Sequence, residues 1–533
     1  MAHTRAHGQA LSRLQTDIVP TLSMQGDATT IPVRDLTFAD APAPRRQQRA
    51  RAWAGQSTHA KLGALAMAVI VVLSLLVVVM AANRPNPLAS TTRVNFFPHW
   101  MAGPLGGLWP SLTDNGTALR DYFSGALVLM YVSYLVLLRC AARLPVRWVI
   151  GAILAVHLIF LLAPPLTLTD IFNYINYGRM EVVHHLNPYT TIPVLEPHND
   201  PSYLLSNWHQ LLSPYGPLFT LLTLAVVPLG VAGSFWVLKG VIVLASLATI
   251  FLVWRCAQLL GRDGRTAIAF VGLNPIILVW GLGGDHNDFL MVFFIMLGFY
   301  LLLLARERRQ AGTSSRVGPR GRLLRAAPEI GAGAAFVAAV GLKASAAILL
   351  PVVLVGLLRA PRTLLGVVLG MVTAGAVIGA ASLLAFGLHI PDLSTQSQVV
   401  SNESVPNLIG LAIGLGGETE GLRAIMTGAL AIIVVLCCWL AWRQRDAIAA
   451  SGWASVALLF TLSWVLPWYV LWALPLAALS SSRRLRAAVL VAGAYLIVAW
   501  APASGNLWNA ISFHPENTPL GRLHQRYVRE LLQ

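Results

Sequence analysis

The densest run of chemistry-bearing side chains lies between Thr167 and Pro217, reading TLTDIFNYINYGRMEVVHHLNPYTTIPVLEPHNDPSYLLSNWHQLLSPYGP. Asp170 opens it, directly after an apolar run over 148–166. A carboxylate there can act as a general base, taking the proton of an acceptor hydroxyl held beside it. It can equally be an aspartate at a helix start, where acids are favoured. The neighbours favour the first reading: on a helix, Asp170, Asn173, Tyr174 and Tyr177 share one face. That face offers the mixture of hydrogen-bonding and aromatic groups a sugar-binding surface requires. Arg179, Asn187, Tyr189 and Tyr215 extend the candidate binding surface, while His184 and His185 read as ordinary hydrogen-bonding groups. The stretch is too rich in Tyr, Trp, Ile and Leu for a disordered linker; it reads as a folded loop lying on a membrane.

A second constellation is DHND, with Asp285, His286 and Asp288. Two carboxylates three residues apart at a helix start can point at one site, suiting either a divalent cation or the positioning of a substrate hydroxyl. They can also simply complement the helix dipole. Two carboxylates and one histidine do not complete a metal shell, so no metal or other cofactor is assigned, with a divalent ion left open. Lys343 is one of only three lysines, with Lys61 and Lys239. A charge between apolar flanks is a functional candidate; its expected partner is a lipid phosphate, with Arg179 as the second candidate and snorkelling to the interface as the alternative. Trp464, Trp468, Tyr469 and Trp472 could stack on sugar, but read more readily as an aromatic interface belt.

The elements that must position these groups are membrane helices. The chain is 56% hydrophobic and 11% charged over 533 residues, against about 25% charged in soluble domains, and apolar runs of spanning length recur. An all-α polytopic membrane protein follows. The net charge of +16 sits mostly in short connections and the N-terminal tail, as cytoplasmic arginines do, so nucleic acid is not needed to explain it. The four cysteines show neither metal spacing nor a disulfide framework.

Charge bookkeeping gives a basic cytoplasmic tail over 1–57, read as disordered and lacking a cleavable signal peptide. A transmembrane catalytic domain covers 58–502, and an external tail 503–533. External loops fall at 83–121, 167–217 and 388–420. The run 218–232 is short and broken by Pro228 and Gly230, so it reads as interfacial or re-entrant. Runs 330–358 and 449–481 read as hairpins, turning near Gly341–Lys343 and Val465–Tyr469. The total is about thirteen spans with the N-terminus inside. All the polar clusters then fall on the outer face. A channel or transporter would more naturally carry them at mid-span; an enzyme acting at the outer interface on a lipid-anchored substrate would gather them as here.

Five segments in order, TDIFNYINYGRMEVVHHLNPY, SPYGPL, NPIILVWGLGGDHNDFLM, GLKASAAILLP and WVLPWYVLWALPLAAL, resemble the actinobacterial polyprenol-phosphomannose-dependent α-1,6-mannosyltransferases of the GT-C superfamily of integral-membrane glycosyltransferases. The resemblance runs from about residue 60 to 502. It implies a GT-C-like fold and transfer of mannose from a polyprenyl phosphate to a growing α-1,6-mannan or lipoglycan at the outer face, with inversion at the anomeric carbon. Asp170 matches the superfamily's catalytic aspartate in an external loop, and Asp285 and Asp288 match its second acidic motif. One departure is that the acidic loop follows the third span rather than the first, which leaves Asp114 as a competitor for the role of base. Transfer of arabinose, glucose or galactose from its polyprenyl phosphate, or flipping of a lipid-linked sugar, stand as the alternatives.

Overall fold

The computed structural model describes residues 46–82, 98–109, 115–167, 169–310 and 319–532. Asp114, about half of the expected 83–121 loop and residues 1–45 of the basic tail lie outside the described residues. Every described element is helical, and no strand occurs among the described residues. Apolar composition dictates this, since in lipid only a helix or a closed barrel satisfies its own backbone. The helices that frame the site are α1 (Arg46–Ala81), α2 (Gly116–Cys140), α3 (Val146–Leu161), α4 (Asp170–His184), α5 (Pro217–Val226), α6 (Gly230–Leu259), α7 (Gly264–Gly272) and α8 (Asp288–Gln310). After them come α9 (Pro319–Leu342), α10 (Pro361–Phe386), α11 (Glu420–Gln444), α12 (Ala447–Thr461), α13 (Arg483–Trp500) and α14 (Pro519–Leu532).

Among the described residues, six helices are long and apolar enough to cross a membrane, or seven if α13 and the short helix after it, bent by 82°, count as one span. The chain is therefore a multi-pass membrane protein, and by helix length and composition the expected thirteen spans are not confirmed. The shortfall lies in five apolar helices of 10–17 residues, below the roughly 20 residues a full crossing needs. Four of these are the halves of the two expected hairpins. The first pair breaks at Lys343, between Pro319–Leu342 and Ala344–Ile348; the second breaks at residues 462–466, between Ala447–Thr461 and Pro467–Trp472. The stretch 217–259 passes as one long span, yet Pro228 and Gly230, the latter at φ +71°, divide α5 from α6. Ten residues of α5 reach about 15 Å, half a bilayer.

Packing is closest where side chains vanish. α9 crosses α10 at Gly333 and Gly370, where an added Cβ would collide with the backbone of Val367 and of Ile330. Such small-residue contacts let membrane helices approach. In contrast, the spanning windows of α10 and α11 are only 17% and 11% buried. Their exposed leucines, isoleucines and valines, such as Leu384 and Ile425, suit acyl chains.

Candidate active site

The site is built where two interruptions meet. α3 ends before Pro164 and Pro165, and the extended segment that follows donates Leu166 N–H to the Gly283 carbonyl at 2.7 Å. Gly283 belongs to the turn between α7 and α8. Asn274 starts that region by accepting the N–H groups of Ile276 and Ile277. A π-helical stretch, Ile277–Leu282, follows; such bulges recur at functional sites. Gly283 and Gly284 then pack too closely for a Cβ, and Asp285 takes φ +57°. One backbone bond thus ties the start of α4, with Asp170, to the DHND turn.

Asp170 and His286 meet there, with Oδ2 to Nδ1 at 3.3 Å. The imidazole lies flat on Trp468, ring centres 3.5 Å apart. The two acids of the turn do not converge, contrary to the expectation of one shared site. Asp285, turned inward by its left-handed backbone, meets Lys239 of α6 at 2.8 and 3.0 Å, both side chains fully buried. Asp288, the first residue of α8, faces the other way and meets Lys343 at 3.0 and 2.9 Å. It also accepts the indole N–H of Trp468 and of Trp472. Lys343 lies over the rings of Tyr469 and Trp472, at 5.0 and 5.6 Å, the geometry of a cation–π contact.

Asp170, Tyr174, Tyr177, Tyr215 and Lys343 all border one cavity of about 70 Å³, closed by Trp208, Trp464, Trp468 and Tyr469. Its walls are held from behind. Asn173 accepts the backbone N–H groups of Asn207 and Trp208, fixing the segment that carries Trp208. Tyr177 donates to the Leu211 carbonyl at 2.7 Å. Tyr174 packs edge-on against Tyr215 and Phe219 and its hydroxyl accepts Asn287 N–H. Lys343, Trp464, Tyr469 and Gln396 also border a larger groove of about 420 Å³, whose far wall is Arg423, Thr427 and Leu430 of α11. Those three positions share one face of the least buried spanning helix.

Other residues expected at the site lie apart from the cavity. Arg179 is committed to Asp200, with Nη2 to Oδ2 at 2.8 Å, and His184 joins the same carboxylate at 2.9 Å. Burial pushes the Asp200 carboxyl up, but hydrogen bonds from Arg179, Ser202 and His184 carry it below the usual carboxylate range. Asn187 caps its own turn and donates to the Phe386 carbonyl, and Tyr189 donates to the Tyr215 carbonyl. No three His, Cys, Asp or Glu side chains gather as a metal site would need, among the described residues.

Sequence reasoning passed over four residues that build the site. Trp468, Tyr469 and Trp472, read as an interface belt, are 2%, 7% and 5% exposed and line the cavity or grip Asp288. Lys239 had a signal: it is a lone charge in an apolar run, and such a charge needs a partner.

Comparison with known proteins supplies the context for this geometry. The family model described as Alpha-(1->6)-mannopyranosyltransferase, N-terminal domain, matches residues 60–359, and that of the MptB C-terminal domain matches 403–514. Alpha-(1->6)-mannopyranosyltransferase A of Mycobacterium tuberculosis is 28% identical over 379 residues, covering 64% of this chain and 67% of the relative. The protein of the same name in Corynebacterium glutamicum is 28% identical over 360 residues, covering 59% and 67%. Alpha-(1->6)-mannopyranosyltransferase B of the latter organism is 26% identical over 360 residues, covering 60% and 56%. No solved structure matches.

Proposed function

Since the chain belongs to the alpha-(1->6)-mannopyranosyltransferase family, and is thus a glycosyltransferase, we propose that it transfers mannose from a polyprenyl-phosphate donor to an α-1,6-mannan or lipoglycan acceptor at the outer membrane face. The observation that carries this reading is the junction of two cavities. The small one holds Asp170. The larger one begins at Lys343 and runs to the lipid-exposed helix α11. A polyprenyl chain enters along α11, its phosphate stops at Lys343 and Arg423, and the mannosyl group projects toward Asp170. The outer-face assignment rests on the basic connections, which favour the cytoplasm.

In the reaction the acceptor hydroxyl oxygen attacks the anomeric carbon, and the bond from that carbon to the phosphate oxygen breaks. The electron pair leaves with the phosphate, and the hydroxyl proton passes to Asp170. His286 stands against one oxygen of Asp170, 3.3 Å away, and leaves the other to take that proton. Lys343 offsets charge on the departing phosphate; its partner Asp288 keeps two indole donors when the lysine turns to the lipid. A single attack inverts the sugar centre. Asn173, Tyr174, Tyr177 and Tyr215 shape the sugar side.

Replacing Asp170 by Asn tests the assignment in purified protein with polyprenyl-phosphate mannose and an α-1,6-linked mannoside acceptor. General-base help is worth about 10²–10⁴-fold, so turnover should fall by that much while donor binding survives. Near wild-type transfer by Asp170→Asn would remove the base, and Asp114 would be next. Wild-type protein that moves the lipid-linked sugar across a bilayer without transferring it would point to a flippase, and turnover with polyprenyl-phosphate arabinose, glucose or galactose alone to a different sugar.

A further inference from the structure

Behind Trp464 lies a third cavity, of about 340 Å³, which none of the groups discussed above accounts for. Its walls include Trp464 and Trp500, Asn402 and Glu403, and Gln525 and Arg529. The last two stand one turn apart on α14, which lies beyond the residues matched by either family model. α14 is held across this opening at two points: Tyr527 donates to the Thr395 carbonyl at 3.1 Å, and Gln210 N–H donates to the Leu531 carbonyl at 3.2 Å.

We propose that this groove is a binding site for the acceptor glycan, holding mannosyl units behind the one being extended. The proposal rests on the transfer reaction above and adds where the acceptor lies. Three observations carry it. Trp464 is the common wall of the Asp170 cavity, the donor groove and this third groove, so a chain seated here lies one side chain from the reacting centre. Its ring meets Trp208 on one side and Trp500 on the other, edge to face, each pair of centres 6.3 Å apart. This aromatic line runs from the reacting cavity into the groove and offers faces to the C–H side of sugar rings.

The second observation is the polar chemistry of the walls. They supply amides, a carboxyl and a guanidinium, groups that both donate and accept hydrogen bonds, as neutral sugar hydroxyls demand. Burial, with Glu516 nearby, pushes the Glu403 carboxyl up to about 7, so near neutral pH it both donates and accepts. The third observation is the Trp500 indole N–H, which is buried without a hydrogen-bond partner. Leaving such a donor unmet is unfavourable, and a small turn of the Trp500 ring would bring it to a sugar oxygen in the groove.

The test compares kcat/KM for α-1,6-linked mannotetraose and for methyl α-mannoside, using the full-length protein with polyprenyl-phosphate mannose. The ratio of the two cancels any loss of folded enzyme. Wild type should prefer the tetraose, and Trp500→Ala and Arg529→Ala should each cut that preference, Trp500→Ala by about fivefold to tenfold. A ratio that neither substitution moves, or a wild type without preference for the longer acceptor, overturns the proposal. Calorimetric titration of mannotetraose into the donor-free protein separates this from the underlying reading. If no donor is turned over but the tetraose binds and Trp500→Ala weakens it, the reaction assigned above fails and the groove stands. If the tetraose does not bind, or inorganic phosphate binds in its place, the groove fails.

Discussion

Asp285 and Asp288 are three residues apart, both fully buried, and each meets a lysine at 2.8–3.0 Å. The two pairs nevertheless do opposite things. Lys239 is sealed, with no exposure, over the ring of Phe235, and it is the only side chain bonded to Asp285 among the described residues. Lys343 is 20% exposed and borders both cavities, while its aspartate keeps two indole donors besides. A sealed pair without substitutes fixes geometry: it holds the left-handed backbone of Asp285 and, one residue on, the imidazole against Asp170. An open pair with substitutes leaves its cation free to meet an anion. Distance alone would not separate the two; exposure and redundancy do.

The sharpest way to break this contrast is to remove the sealed lysine. Breaking a buried pair costs about 3–5 kcal/mol because the remaining charge is stranded. Lys239→Met should therefore lower the melting temperature strongly and reduce the yield of folded protein. Removing both charges, as Lys239→Met with Asp285→Leu, should recover much of the stability, since apolar replacement of a buried pair is often near neutral. A single variant that melts like wild type would show that the turn is held otherwise.

Lys343→Ala should act on the ligand instead. Charged hydrogen bonds are worth about 1.5–3 kcal/mol, so donor affinity should weaken about tenfold to a hundredfold, and Lys343→Arg should restore part of it. The melting temperature should move less than for Lys239→Met, since the Trp468 and Trp472 N–H groups still serve Asp288. Unchanged donor affinity in Lys343→Ala would end its phosphate role. Smaller again is Trp472→Phe, which keeps the ring beneath Lys343 and deletes one of Asp288's donors. A hydrogen bond to a charged group contributes about 1.5–3 kcal/mol, less than a broken buried pair, so a melt comparable to Lys239→Met would show that Asp288 has no redundancy.

The contrast also marks where sequence reading stops. The family and the polytopic helical class were legible, because they rest on long apolar runs and five ordered segments. The break at Lys343 was legible from its basic flanks; the same charge argument put the second turn at Val465–Tyr469, a few residues past the break at 462–466. Divergence of Asp285 from Asp288 was not, because it depends on one residue at positive φ, and a spacing rule assumes a continuous helix. Lys239 finds its partner 46 residues away, and Arg179 finds Asp200 21 residues away; neither pairing leaves a local pattern. Trp468 and Trp472 have the same composition as an interface belt, and only the fold turns their N–H groups onto Asp288. The expected thirteen spans came from charge, which counts crossings without measuring them, and the short helices leave that count unconfirmed.

Glu196 extends the contrast to a carboxylate with no bonded cation. It is 4% exposed, and neither of its oxygens has a hydrogen-bond partner. Burial pushes its carboxyl up, Asp200 adds to the rise and Arg179 opposes it, leaving it at about 8 against an ordinary 4.5. The folded chain therefore holds a proton that the unfolded chain releases between those values. Where the folded state binds more protons, stability falls as pH rises, so the melting temperature should decline from about pH 5 to pH 8. Asp200 works in the opposite sense, its carboxyl held low, and its contribution is lost only as pH falls below its ordinary 3.8. Glu403, raised to about 7, slopes the same way as Glu196, so the wild-type curve alone does not isolate either. Glu196→Gln does: an amide keeps the shape and cannot ionise, so the variant should lose part of the decline and gain on wild type toward pH 8. Parallel melting curves for the two proteins across that range would mean that Glu196 is solvated or paired as the folded chain breathes.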